Sequence, residues 1–225
     1  GMRRNRAGGV GLGGGTMTER VIETLEDVEE GAAHLRTICP RMAHAHDLIS
    51  PLPLRRRPDG FAQLLSAIVS QQVSVAAADA IWRRMKAARL TGPRKIIWAG
   101  DDDLRAAGLS RQKIRYARAL AEARIDYRRL RDAPTHEVIA TLTEVPGIGV
   151  WTAEIYAMFS LGRADVFAPG DLALQEGARL LYDLPARPKE RALREMAQDW
   201  APWRSVAARL LWAYYAHEKQ REGIR

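Results

Sequence analysis

Two short segments hold the residues whose types and spacing could do chemistry. The first is Leu142-Thr143-Glu144-Val145-Pro146-Gly147-Ile148-Gly149-Val150-Trp151-Thr152-Ala153. The second, a little downstream, is Val166-Phe167-Ala168-Pro169-Gly170-Asp171. Pro146 interrupts an incoming helix. Gly147 and Gly149 permit positive φ and close backbone approach, and Ile148 between them can plug into a core. The helix that follows opens with unpaired amide N–H groups and the positive end of its dipole, which suits an anion. A phosphate held there would position a nucleic acid without reading its sequence. Asp171, after a Pro-Gly turn at the start of another helix, is the one carboxylate placed to act on a nucleotide so held. Each feature also has a plain reading: a helix C-cap with a turn for the first, an ordinary N-cap for Asp171.

The elements that must position these residues read as helical. Phe61, Leu64, Leu65, Ile68 and Val69 fall at i, i+3, i+4, i+7 and i+8, an apolar helix face. Trp203, Val206, Ala207, Leu210, Leu211 and Tyr214 make another. Helices are expected over Glu26–Cys39, stopped by Pro40; from Ser74 toward Arg89; over Asp101–Ala107, Ser110–Ile125, Thr135–Leu142 and Gly149–Ser160; and from near Asp171, Pro188 and Pro202. Pro51, Pro53 and Pro58 with Arg55-Arg56-Arg57 read as a linker. No long alternating stretch supports a sheet. The expected fold is all-α, with two helical lobes, a helix-hairpin-helix and a cleft between the lobes. One lobe would be 17–58 plus 165–225, the other 59–164. Residues 1–16 hold seven Gly and three Arg with little that is apolar, and read as a disordered tail; Met17 is a candidate start.

The net charge of +8, with 35 Lys and Arg against 27 Asp and Glu, suits a polyanionic partner; Arg111, Arg115 and Arg118 around Lys113 are an example of the excess. Cys39 is the only cysteine, which excludes an internal disulfide, a cysteine-based zinc site and a four-cysteine iron–sulfur cluster. No run approaches a membrane span and no secretory segment is present, so the expected location is cytoplasmic. His34, His44, His46, His136 and His217 form no recognisable metal triad and read as structural or surface residues.

Four motifs in order carry a resemblance: Ile68-Val69-Ser70-Gln71-Gln72-Val73-Ser74-Val75-Ala76, Pro146-Gly147-Ile148-Gly149-x-Trp151-Thr152-Ala153, Val166-Phe167-x-Pro169-x-Asp171, and Pro202-Trp203-Arg204-Ser205 with Trp212. On these the chain resembles the helix-hairpin-helix DNA glycosylases with a Gly/Pro-rich loop and catalytic Asp, most of all the DNA-3-methyladenine glycosylase II family, from about Phe61 to Tyr215. The resemblance implies a monofunctional glycosylase that flips alkylated bases such as 3-methyladenine out of double-stranded damaged DNA and hydrolyses the N-glycosidic bond. It would act as a monomer, with no required cofactor. Asp171 would be catalytic, and Gly147, Gly149 and Val150 would contact DNA.

Trp151 stands where bifunctional relatives place a lysine, so no Schiff base could form. Trp151 and Trp212 could stack on a cationic alkylated base, or be core. Ile155 holds a position where the family often has tyrosine, and Asp165 fits no motif position. Gln72 matches the residue that wedges into DNA, or is a polar helix end. The carbonyls of Thr143, Val145 and Ile148 match an optional Na⁺ or K⁺ site. Two alternatives stay open: a glycosylase for deaminated or mismatched bases, and a non-catalytic damage-binding module.

Overall fold

The computed structural model describes residues 18–223; the readings of residues 1–16 and of Met17 lie outside them. The described residues form thirteen α-helices, a π-helical turn at Tyr156–Ser160 and a 3₁₀ turn at Gln198–Trp200. The extended pairing among them is an isolated bridge between Val21 and Arg163. The all-α expectation holds.

One set of helices joins the two ends of the chain: α1 (Leu25–Ile38), α2 (Pro40–Ile49), α11 (Leu172–Leu181), α12 (Glu190–Ala197) and α13 (Arg204–Gly223). Within this set α13 packs on α1, α2 and α11. The other set is α3 (Phe61–Val69), α4 (Val75–Ala87), α5 (Pro93–Trp98), α6 (Asp101–Ala107), α7 (Arg111–Glu122), α8 (Tyr127–Asp132), α9 (Thr135–Thr143) and α10 (Val150–Ile155). There α7 packs on α3, α5 and α6, and α9 on α10. One continuous apolar cluster runs under both sets.

Local chemistry accounts for most of the boundaries. Thr24 and Asp27 close a reciprocal capping box at α1, and the side chains of Ser74 and Ser110 accept from the backbone N–H of Ala77 and Lys113 to cap α4 and α7. The stripe Phe61, Leu64, Leu65, Ile68 and Val69 is buried throughout, each side chain contributing about 1.5–3 kcal/mol when removed from water. Three helices escaped the reading of the sequence. Pro40 does not merely end α1; at the first position of α2 it opens a second helix, where its missing N–H costs nothing. The six-residue helices α5 and α8 bury one residue each, Ile96 and Leu130, which is too little to make a period. The helix expected over Gly149–Ser160 is α10 followed by the π turn. Such turns gather at functional sites, and this one carries Phe159.

Candidate active site

The hairpin joins α9 to α10. Val145 N–H donates to the Leu142 carbonyl and Ile148 N–H to the Val145 carbonyl, both at 3.1 Å, and Val145 and Ile148 are buried. The two glycines differ. Gly147 has φ +94°, and a Cβ there would lie 2.4 Å from Tyr116 Cγ. Gly149 has φ −87° and does not use the freedom a glycine offers: its backbone suits any residue. A Cβ on Gly149 would meet nothing within 4 Å. Gly149 and Val150 are exposed, and the backbone amides of Gly149, Val150 and Trp151 have no acceptor among the described residues. Free amide donors at a helix start open to solvent are the chemistry that suits an anion.

Gln72 stands beside the hairpin. It is exposed and holds φ +57°, a conformation rare outside glycine. Its neighbour Gln71 donates Nε2–H to the Gly147 carbonyl at 2.7 Å, so the end of α3 and the hairpin form one corner. Lys113 braces the same corner from inside. It is buried, donates to the Val69 carbonyl at 2.7 Å, and burial pushes its ammonium pKa down. Lys113 is therefore not part of a polyanion-binding surface. Neither is Arg118, which turns inward onto the carbonyls of Ile96 and Ala99 and the Asp101 carboxylate. Arg111 and Arg115 stay exposed.

Asp171 caps α11, its Oδ1 accepting the Leu174 N–H at 3.0 Å. That much is an ordinary cap. An ordinary cap does not also collect two indoles. Trp212 Nε1 donates to Oδ1 at 3.1 Å, and Trp151 Nε1 to Oδ2 at 3.0 Å. Three of the roughly four lone-pair directions of a carboxylate are occupied, which fixes its orientation and leaves one free.

The loop before Asp171 is equally built. Gln175 Nε2 donates to the Pro169 carbonyl at 2.8 Å, and Phe167 packs on Trp200 with ring centroids 5.4 Å apart. Asp165, which fits no motif position, takes a two-pronged ion pair from Arg204 at 2.8 and 3.0 Å. Ser205 N–H donates to the Ala164 carbonyl. The Pro202-Trp203-Arg204-Ser205 motif thus latches the loop that presents Asp171.

The two tryptophans are not plain core. Trp151 is 47 % exposed. With Ile155, Thr152, Gln63, Leu64 and Ser66 it lines a cavity of about 180 Å³ between α3 and α10. Trp212 is half-buried against Phe159, centroids 5.6 Å apart, and meets Trp151 through Asp171 rather than across that cavity.

The sequence reading missed the arginines beside Trp212. The guanidinium of Arg55 lies 4.8 Å from the Phe159 ring centroid and 4.9 Å from that of Trp212. Arg57 and Arg209 also face Phe159, at 5.2 and 5.1 Å. Arg209 is 1 % exposed, and burial lowers its pKa to about 10. The signal was present: Arg55-Arg56-Arg57 read as a linker, and Arg209 interrupts the apolar stripe of α13.

Behind α10, Glu154 is 2 % exposed. It pairs with Arg194 at 3.2 Å and leaves Oε1 without a partner among the described residues. Burial lifts its carboxyl pKa to about 7, against the pull of Arg194. The folded state therefore holds this proton more tightly than the unfolded chain does. Stability from this group is present in full below the ordinary carboxylate range and is lost as pH rises to about 7. Glu154→Gln removes the titration. Its melting temperature should match the wild type near pH 4.5 and exceed it at pH 8.5, by an amount equivalent to about 3 kcal/mol at ~1.4 kcal/mol per pKa unit. Arg194 keeps Glu190 as a partner. Thermal unfolding followed by circular dichroism at the two pH values checks this; a pH-independent difference would mean that Glu154 titrates normally.

Among the described residues no group of three or more His, Cys, Asp and Glu is arranged to hold a metal, and no helix is long and apolar enough to cross a membrane. Residues 65–202 match the HhH-GPD superfamily of base excision DNA repair proteins. The chain is 30 % identical over 203 residues to DNA-3-methyladenine glycosylase 1 of Schizosaccharomyces pombe, covering 86 % of this chain and 89 % of that protein. Solved structures are similar as well. A DNA-3-methyladenine glycosidase of Bacillus halodurans superposes with a TM-score of 0.75 at 33 % identity, over 91 % of this chain and 95 % of its own. A 3-methyladenine DNA glycosylase of Schizosaccharomyces pombe in complex with abasic DNA gives 0.72 at 30 %, over 81 % and 95 %. With a hairpin open to an anion and a carboxylate gripped by two indoles, the chain belongs to the HhH-GPD superfamily of base excision DNA repair proteins, in the DNA-3-methyladenine glycosylase family.

Proposed function

We propose that this protein is a monofunctional DNA glycosylase that removes alkylated bases such as 3-methyladenine from double-stranded DNA by hydrolysis, acting as a monomer in the cytoplasm. The observation that carries the reading is Asp171, an oriented carboxylate with one lone-pair direction free, beside the open helix start of α10. Cleavage of an N-glycosidic bond builds positive charge on the deoxyribose. A fixed carboxylate stabilises that charge and can orient or deprotonate the attacking water. The backbone amides of Gly149, Val150 and Trp151 hold a phosphate, and Gln72 fills the gap left by the extruded nucleotide. Trp151 and Ile155 line the wall against which the nucleotide rests.

The division into lobes at 17–58 plus 165–225 and 59–164 is proposed on the packing of the two helix sets. The Thr143, Val145 and Ile148 carbonyls suit a monovalent cation bridging the hairpin to a phosphate. Those of Thr143 and Ile148 accept no backbone hydrogen bond among the described residues, and that of Val145 accepts one. The cation would add charge stabilisation at the phosphate and nothing to the chemistry at C1′.

The test is a gel assay on duplexes carrying an alkylated purine, hypoxanthine or uracil, with and without alkali. Release of the alkylated purine and strand cleavage only after alkali are expected. Trp151 supplies no amine for a Schiff base, so sodium borohydride should trap no covalent protein–DNA adduct. A trapped adduct would demand another nucleophile. Release of deaminated bases alone would move the activity to another lesion class, and binding without release would make the protein a damage sensor.

A further inference from the structure

The three consecutive arginines before α3 are held in different ways, and Arg55 differs most. Arg209, buried in α13, sends both Nε–H and Nη2–H to the Leu54 carbonyl, at 3.1 and 2.9 Å, while Nη1–H ties back to the Ser205 carbonyl. On the other side, Arg57 N–H donates to the Phe159 carbonyl at 3.0 Å. Arg56 Nη1 reaches the Ile22 carbonyl at 3.2 Å. The backbone is thus pinned before and after Arg55, and Arg55 itself sits at φ +55°. For a residue with a side chain that conformation is unfavourable by about 1–2 kcal/mol, and it persists because the surroundings hold it. What the strain secures is the placement of one guanidinium over Trp212 and Phe159, close enough to Asp171 for the two charges to interact. None of its five N–H donors meets an acceptor among the described residues, and the residue is exposed.

We propose that Arg55 is a specificity-determining residue that donates hydrogen bonds to the extruded base and extends the range of the site to neutral lesion bases beside the alkylated ones. The inference rests on the glycosylase reading above and deepens it. Two physical effects point the same way. A cationic purine alkylated at N3 or N7 must approach a guanidinium already lying on the aromatic faces that would attract it, so like charges oppose its entry. A neutral base such as hypoxanthine presents a carbonyl oxygen and ring nitrogens, which accept from that guanidinium.

The leaving step differs in the same sense. When the C1′–N bond breaks, its electron pair stays with the base. A cationic base departs neutral; a neutral base departs as an anion. Water adds hydroxide to C1′; the proton it gives up passes to solvent when the base departs neutral, and by way of solvent to the base when it departs as an anion. Donors aimed at the base stabilise the anion as it forms, and for a cationic base they add nothing.

The experiment compares single-turnover release of hypoxanthine and of 7-methylguanine by the full chain, with Arg55→Ala and Arg55→Lys beside the wild type. Binding to a duplex carrying an uncleavable abasic analogue is measured in parallel. Arg55→Ala should slow hypoxanthine release by about 10- to 100-fold, the worth of a hydrogen bond from a charged donor. Release of 7-methylguanine should be unchanged or faster, and the abasic analogue should bind as before. Arg55→Lys keeps the charge without the planar fork and should restore part of the hypoxanthine rate. Equal slowing of both lesions, with weaker binding of the abasic analogue, would make Arg55 a phosphate contact and overturn the proposal. An unchanged ratio of the two rates would overturn it as well. A wild type that releases neither base would instead remove the glycosylase reading and this inference with it.

Discussion

Asp171→Asn is expected to bind damaged and undamaged DNA as the wild type does and to lose base release by on the order of 10²–10³-fold, the usual loss when an electrostatic group at a developing charge is removed. The substitution is informative because it preserves so much. Asparagine is as good an N-cap as aspartate, so its Oδ1 can still accept the Leu174 N–H that Asp171 accepts at 3.0 Å. The new amide replaces the other oxygen with an NH₂ facing the Trp151 indole donor, 3.0 Å away in the wild type. One donor then meets another, the indole loses its partner, and the negative charge is gone. The helix should survive and the chemistry should not. Single-turnover release of an alkylated purine, with a melting curve beside it, separates the two. If Asp171→Asn excises at the wild-type rate, Asp171 is only a cap, and the tryptophans surround it for packing alone.

The second large effect is a contrast between two glycines of one motif. Gly147→Ala puts a side chain on a backbone at φ +94° and a Cβ 2.4 Å from the ring of Tyr116. Strain of about 1–3 kcal/mol and overpacking of about 1–3 kcal/mol add, so the melting temperature should fall by roughly 5–15 °C for a chain of this size. Gly149→Val meets no such obstacle. Its backbone, at φ −87° and ψ 175°, is one that valine favours, and a Cβ there points into open space. The protein should melt within a degree or two of the wild type. It should nevertheless bind DNA about tenfold or more weakly, because the new methyl groups occupy the approach of a phosphate to charge-assisted amide donors. The loss should be the same for damaged and undamaged duplexes, since the contacts are to the backbone. Circular dichroism melts and titrations at two salt concentrations check both halves. A Gly149→Val variant that is folded and binds DNA normally would place the contact surface elsewhere.

Much of this protein was legible in its sequence because its elements announce themselves locally. The stripe from Phe61 to Val69 has a helical period, Ser74 and Ser110 are caps, and Pro-Gly-Ile-Gly before Trp-Thr-Ala describes a hairpin whatever surrounds it. The all-α class, the hairpin and the choice of Asp171 follow from such short-range patterns and from the family resemblance they carry. The tertiary structure decided everything that depends on which chain segments meet. Spacing could not separate Gly147 from Gly149, because the ring that makes one indispensable is Tyr116, on a different helix. Two indole donors from α10 and α13 converge on one carboxylate, a meeting that no spacing in the sequence shows. Lys113 and Arg118 look like surface cations in one dimension and are braces in three, since they donate to the carbonyls of Val69 and Ile96, which are remote in sequence. Arg55-Arg56-Arg57 reads as a solvated linker for the same reason. Only the fold brings the buried Arg209 onto the Leu54 carbonyl and sets the Arg55 guanidinium over Trp212. Sequence determines where a helix begins and which side of it is apolar; the direction in which a charged side chain must turn is decided by the partners that packing brings to it.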